Sequence, residues 1–398
     1  MFTNQNFTQR AAVCLVISDY VMPYRYRLLM HNLGKLCVPL LLASVCHAQP
    51  HAPSSAAGLT SPPIYQLDLC IPMLHFIQNN EYLGPVVQGH TLAGYQLHPM
   101  LRLYPAAYLQ TDCGVFVRRY WADPRFYTYA EPTCTLHYQR RGFAFTIGTL
   151  AAYPATRWLA PLYDQEQQLQ RGPEPGIRLQ YSRDRSWCDL YLTWLAWLCP
   201  AAARPEEFIV GLSAAHSLFH TRSLQMVVPI QGILYHVGGQ GISVQSYSCV
   251  AGAVGAQLTL SAPVVRGSVY YLSNQYLASV VRPAQRGHAL YMCLAWDTRR
   301  LSVAGSYWYG HHFSSENIGD PLYQSFVLID RKVQGVYPIR QLLVLHLLYT
   351  YPLSKQVRLQ VQVAPYYDIR HRLLEHAEGL YVTYSPVFRL KNVADVAS

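Results

Sequence analysis

From Gln356 to Val363 the chain reads Gln-Val-Arg-Leu-Gln-Val-Gln-Val, with every odd position aliphatic and every even position Gln or Arg. A period of two is the period of an extended strand, and it makes one face wet and the other dry. No helix satisfies it. The run Thr133 to Gln139 repeats the alternation, Arg140-Arg141-Gly142 then supplies a turn, and Phe143 to Ile147 returns as a second strand. That is the signature of a β-hairpin. Gln110, Asp112 and Arg118 hold the even face of another such segment, which Phe116 interrupts.

Such strands could form a secreted β-sandwich or a membrane barrel, and composition separates the two. Hydrophobic residues make up 51% of the 398 residues and charged residues only 13%. Ordinary soluble domains carry about 25% charge. Past residue 50 every apolar stretch is broken by Arg, Gln, Asp, Pro or Gly before it reaches the length of a transmembrane helix, about 18 residues. The polar faces are rich in Gln, Arg, Tyr, Thr and Ser and poor in Lys and Glu, as a barrel lumen can be. Tyr and Trp gather where segments end, at Tyr120-Trp121, Tyr307-Trp308-Tyr309, Tyr349, Tyr351 and Tyr366-Tyr367, matching the aromatic girdles of outer-membrane barrels. The reading is an all-β, transmembrane, antiparallel up-and-down barrel of about 14 to 16 strands. A secreted sandwich acting as a binding protein is the alternative, and it would need several domains with no visible linker.

The N-terminal part fits that location. A basic start near Met30, an apolar core from Cys37 to Val45 and the small residue Ala48 read as a secretory signal peptide. The division is therefore a leader over 1–48, with Met30 as a candidate true start, a Pro/Ser/Ala-rich segment over 49–63, a barrel over 64–391 and a tail over 392–398. Cys70, Cys113, Cys134, Cys188, Cys199, Cys249 and Cys293 are odd in number, widely spaced and contain no Cys-x-x-Cys. Neither a disulfide framework nor a structural zinc site is written there. The formal charge is +10, of which +7 lies beyond the leader, where Lys332, Lys355 and Lys391 are the only lysines and the rest of the basic residues are arginine, without a basic run longer than two. Nucleic acid is not the expected partner; outer-membrane lipids including lipopolysaccharide, small anionic solutes or envelope proteins are.

Phe76-Ile77-Gln78-Asn79-Asn80-Glu81-Tyr82 with Gly89-His90-Thr91, then Gly148-Thr149 and Pro161-Leu162-Tyr163-Asp164, then Pro205-Glu206-Glu207-Phe208 with Gly211-Leu212-Ser213, then His236-Val237-Gly238-Gly239-Gln240, together resemble a group of Bacteroidetes outer-membrane β-barrel proteins of largely unassigned function. The resemblance implies a bacterial outer-membrane location and a barrel of about 14 strands, and it implies no chemistry. It departs at Val237, where a basic residue is expected before the glycines.

Candidate functional residues follow from the alternation and the charge. Glu81, Arg118, Arg178, Glu207 and Arg358 are expected to line the lumen or its rim, with Gln360 and Gln362 on the face of Arg358 and with His236 and Gln240 at a glycine-rich loop. Rings of charge in a low-dielectric wall would then select solutes. His236 to Gly241 lacks the Lys-Ser/Thr of a phosphate loop, and His311-His312 would point to opposite faces of a strand, so neither cofactor nor metal is expected. Ser213 and Ser217 have His216 and His220 nearby, but there is no Gly-x-Ser-x-Gly elbow. The expected function is a non-enzymatic pore, or the barrel subunit of an envelope assembly. A lipase- or acyltransferase-like barrel acting on outer-membrane lipid is the alternative.

Overall fold

The computed structural model describes residues 65–150, 158–198, 204–239, 246–261, 264–277, 286–316, 318–329 and 332–392. The expected leader, the segment over 49–63 and positions 393–398 of the expected tail lie outside them. So do Cys199 and Gln240.

Among the described residues sixteen antiparallel strands close into a barrel. They are β1 (Gln66–Cys70, continuing as Met73–Glu81), β2 (His90–Leu97, continuing as Met100–Ala106), β3 (Leu109–Tyr120), β4 (Tyr129–Arg140), β5 (Phe143–Leu150), β6 (Glu174–Arg183), β7 (Ser186–Ala196) and β8 (Glu206–His220). The ring goes on through β9 (Leu224–Gly238), β10 (Tyr247–Ser261), β11 (Val264–Leu277), β12 (Arg286–Asp297), β13 (Leu301–His311), β14 (Ile339–Pro352), β15 (Val357–Asp368) and β16 (Leu373–Tyr384, continuing as Val387–Asn392). Each strand pairs with its neighbour in sequence. β16 pairs with β1, from Gln66 opposite Asn392 to Glu81 opposite His376. Closure removes the open sheet edge that lipid cannot satisfy.

The three interrupted strands are neighbours, and proline explains each break. Pro72, Pro99 and Pro386 have no N–H to give to the ladder. Their carbonyls carry it instead: Pro386 accepts from Ile71 N, Pro72 from His98 N and Pro99 from Val115 N, at 2.9 to 3.1 Å. The bend therefore crosses the β16-β1-β2 seam without orphaning these groups.

One end of the barrel has tight connections, such as 107–108, 141–142, 184–185, 221–223 and 298–300. Gln66 and Asn392 lie at that end too. The other end has long connections, the largest following Leu150 and His311. Short turns with both termini on one side and long loops on the other are the periplasmic and extracellular ends of an outer-membrane barrel.

The pleat sorts the side chains. Leu101, Leu103, Ile230, Val254, Leu258, Val361 and Val363 point outward and are exposed, as a wall facing acyl chains requires. The interior has two halves of different character. Toward the turn side it is polar, with cross-strand ion pairs Arg102–Asp112 at 2.9 Å, Arg178–Asp189 and Arg266–Asp297 at 2.6 Å. Toward the loop side it is filled. The stretch from Trp158 to Pro173, which contains the single-turn helix α1 (Gln167–Gln170), and residues 312–316 and 318–326, which lead into the hairpin Phe326–Ile329/Lys332–Val336, fold into the lumen. They hold each other: Asp164 N donates to Ile318 O (2.7 Å), Asp320 N to Ala160 O (2.9 Å) and Ser315 Oγ to Pro161 O (2.7 Å). Trp308 on β13 packs edge-on against Phe313 and Tyr323, and all three are fully buried. Glu316, 2% exposed, accepts from the hydroxyls of Tyr247 (3.0 Å) and Tyr276 (2.5 Å). The molecule's aromatic core is this plug against the wall.

Candidate functional site

Segments far apart in the chain meet at the loop-side end of β1 and β2. Phe76 to Tyr82 ends β1, Gly89 to Thr91 opens β2, and Pro161 to Asp164 comes down inside with the first plug loop. Because β1 runs extended through Glu81 rather than stopping before Asn79, consecutive residues of the Gln-Asn-Asn-Glu run face opposite sides of the wall.

On the inner side Gln78 and Asn80 are buried and donate to the Glu166 carboxylate at 2.9 and 2.7 Å. Glu166 N donates to the Asp164 carboxylate at 2.9 Å, closing the turn into α1. Asp320 of the second plug loop lies in the same acidic group. Burial, with the charge of Glu166 second, pushes the Asp164 carboxyl up to about 7. Burial also raises Glu166, and burial followed by Asp164 raises Asp320 much further. Carboxyls this close in a dry site cannot all ionise.

On the outer side Asn79, Glu81, Thr91, His376 and Glu378 form one polar island. Thr91 Oγ1 donates to Asn79 Oδ1 at 2.6 Å, and Asn79 Nδ2 donates to Glu378 Oε2 at 3.3 Å and Glu81 Oε1 at 3.2 Å. His376 Nδ1 lies 2.5 Å from Glu378 Oε1, with the two side chains 42% and 41% exposed. Around the island the same face carries exposed Ile77, Leu374, Leu380 and Val363. A carboxylate and an imidazole on a lipid-facing wall carry an energetic cost and mark function rather than stability. The carboxylate stands against the Nδ1 edge of His376, and Nε2 is the edge turned away from it. Arg370 and Arg372, both exposed, stand in the loop just before β16. Among the described residues no three His, Cys, Asp or Glu side chains converge to hold a metal ion.

The residues singled out from sequence are scattered over this frame. Glu81 corrects the lumen expectation: it faces outward, opposite His376. Arg118 points inward, 5% exposed, and its Nη1 donates to Arg171 O at 2.8 Å while its guanidinium lies over Tyr120 and Tyr129. Arg178 pairs with Asp189, and Glu207 accepts from the Tyr235 hydroxyl at 3.2 Å. Arg358, Gln360 and Gln362 share the inward face of β15, alternating with exposed Val361 and Val363. His236 points outward on β9, against Ser248. His376, Glu378, Thr91 and Glu166 were not anticipated. A signal for two of them exists in the sequence: Leu374, Leu380 and Val382 define an apolar face of β16, and His376 and Glu378 interrupt it on the same parity.

Solved structures similar in fold include the outer membrane protein OprD from Pseudomonas aeruginosa (10% identity, TM-score 0.49, 82% of this chain and 95% of that one) and OccAB4 from Acinetobacter baumannii (11%, 0.47, 83% and 100%). A BenF-like porin from Pseudomonas fluorescens is a third (8%, 0.47, 83% and 100%). No curated protein matches the sequence significantly. A family model described as lipid A 3'-O-deacylase-type matches residues 61–393. That match overturns the expectation of a barrel without covalent chemistry, because the family is named for an enzyme. An outward-facing base and carboxylate, set in the wall of a sixteen-stranded outer-membrane barrel, thus stand in a chain that belongs to the lipid A 3'-O-deacylase-type family.

Proposed function

We propose that the protein hydrolyses an ester-linked acyl chain of a lipid A-type lipid in the outer leaflet, at the polar island on β16, β1 and β2. The observation that carries this reading is the His376–Glu378–Asn79 arrangement on the lipid-facing wall. A membrane-resident ester reaches a barrel enzyme from outside, so its catalytic groups belong on that face and near the loop-side end. The filled interior favours the wall over the bore as the working surface.

The chemistry needs a base, an orienting group and water. His376 Nε2 takes a proton from a water molecule whose oxygen attacks the ester carbonyl carbon, while Glu378 holds Nδ1–H and stabilises the imidazolium. Collapse of the tetrahedral intermediate breaks the bond to the sugar oxygen, which leaves with the proton from His376. The products are a free fatty acid and a sugar hydroxyl. Exposed Arg370 and Arg372 supply charge for a phosphorylated headgroup.

The test uses the full barrel in vesicles containing purified lipid A, with mass spectrometry following loss of an acyl chain. His376→Gln lowers the rate about a hundredfold or more, the usual contribution of a positioned base, while the variant keeps the heat-modifiable gel mobility of a folded barrel. Absence of acyl loss with the unaltered protein, or an unchanged rate in the variant, rejects the reading. A solute pathway is the second reading, supported by the polar turn-side lumen with its Arg–Asp pairs, and it requires the plug to move.

A further inference from the structure

The wall opposite the β16-β1-β2 island carries a separate pair with different chemistry. His236 on β9 and Ser248 on β10 are direct cross-strand partners, and Ser248 Oγ lies 2.8 Å from His236 Nδ1. Both point outward near the loop-side end of the barrel. The Phe208 ring lies against the imidazole, with centroids 4.8 Å apart, and fixes its plane. Gly238 makes room for the other edge: a β-carbon there would come within 2.9 Å of His236 Nε2 and 2.6 Å of Ser246 Oγ. Glu206 is the cross-strand partner of Gly238, and its carboxylate is turned to the strand on the other side. It accepts from Trp194 Nε1 at 2.7 Å.

A concavity of about 710 Å³ on β10, β11 and β12 begins two residues from Ser248 along the same outward face of β10, and is lined among others by Val250, Gly252, Tyr271, Gln275, Arg286 and His288. Its floor is apolar or small, whereas Gln275, Arg286 and His288 are polar and gather at one end. An acyl chain fits the first part and an anionic headgroup the second. A second outward pair, Ser186 Oγ and His216 Nδ1 at 2.8 Å, lies at the turn-side end and adjoins none of these residues. It is a natural comparison.

We propose that Ser248 and His236 form a serine-dependent acyl-ester site for an anionic lipid held in this groove, independent of the island on the opposite wall. His236 Nδ1 removes the Ser248 hydroxyl proton as Oγ attacks the ester carbonyl carbon. The tetrahedral intermediate expels the alcohol, which takes that proton from His236, and leaves an acyl-serine. Water then attacks the acyl carbon, gives a proton to His236, and releases the fatty acid as the serine oxygen is reprotonated.

A long-chain fluorophosphonate tests this in the intact barrel reconstituted in vesicles. The probe forms a P–O bond to an activated serine as fluoride leaves, so labelling reads the nucleophile without a known substrate. Peptide mass spectrometry is expected to place the label on Ser248. Ser248→Ala abolishes it, His236→Gln slows it about a hundredfold, and Ser186→Ala leaves it unchanged. Each variant is first checked for the compact, unheated gel mobility of the folded barrel. Failure of the folded protein to label, or a label that survives Ser248→Ala, overturns the proposal. Neither result bears on lipid A hydrolysis by His376, which is read separately.

Discussion

Inside the loop-side rim the guanidinium of Arg340 meets the carboxylate of Asp368, Nε to Oδ2 3.4 Å, with both side chains 1% exposed. Arg340 also lies 3.8 Å from Glu375 and over the ring of Tyr337, and Glu375 Oε1 in turn accepts from Leu83 N and Gly84 N at 3.1 and 2.9 Å. One cation thus joins β14, β15 and β16 to the loop after β1. Removing one partner of a buried ion pair leaves an uncompensated charge and costs about 3–5 kcal/mol. Arg340→Met is expected to lower barrel stability by that amount, read as a fall in the urea midpoint in detergent. Arg340→Met together with Asp368→Leu recovers part of it.

Glu378→Gln separates positioning from packing at the polar island. The amide keeps the shape of the carboxylate but offers N–H to His376 Nδ1, which forces the ring proton onto Nε2 and removes the base. The rate of acyl release falls about a hundredfold with little change in lipid affinity. Glu81→Gln, two residues nearer the rim than the Asn79–Glu378 level and hydrogen-bonded to Asn79 rather than to His376, has a smaller effect. Separate measurement of kcat and KM on mixed micelles distinguishes the two.

Trp308 anchors the second plug loop to the wall, lying 5.4 Å from Tyr323 and 5.2 Å from Phe313 between ring centroids. Truncating a fully buried tryptophan costs about 3–5 kcal/mol. Trp308→Ala is expected to loosen the 312–338 stretch before it unfolds the barrel, because the strand ladders of β13 do not depend on that ring. Limited proteolysis checks this: cleavage between His312 and Pro338 accelerates while the barrel stays folded.

The wall of this molecule was legible in the sequence and its contents were not. A strand between lipid and lumen must alternate, so Val361 and Val363 against Gln360 and Gln362 announce their own geometry. Even Phe116, an interruption on paper, sits inward against His98 and Tyr129. The plug has no such rule. Trp158, Leu162, Phe313 and Tyr323 lie on irregular segments whose burial depends on contacts more than a hundred residues away, such as Ser315 with Pro161. The polar island suffered from the same locality. Asn79 and Glu378 are direct partners across the closing seam but stand at opposite ends of the chain, and alternation alone does not say which strands meet.

The plug's acidic group makes its docking dependent on pH. Asp164, Glu166 and Asp320 face Arg171 and His90 from the first loop and β2, Arg340 from β14, and the rings of Tyr82 and Tyr366. Burial and mutual repulsion favour their protonated forms, so Asp164 reaches about 7 and the other two are also raised. A carboxyl whose folded value exceeds its unfolded value stabilises the docked state fully below the ordinary carboxylate range, and that contribution is lost as pH rises through the folded value. Docking is therefore tightest in acid and weakens between about pH 4 and pH 7. Planar-bilayer recording should show a closed barrel at the acid end and openings that grow more frequent toward and above neutrality. Asp164→Asn, which cannot ionise, shifts the onset of opening to higher pH or removes it. Openings that instead increase on acidification would mean that these carboxylates hold the loops as anions, and the assignment of the acidic group as a protonated latch would have to be abandoned.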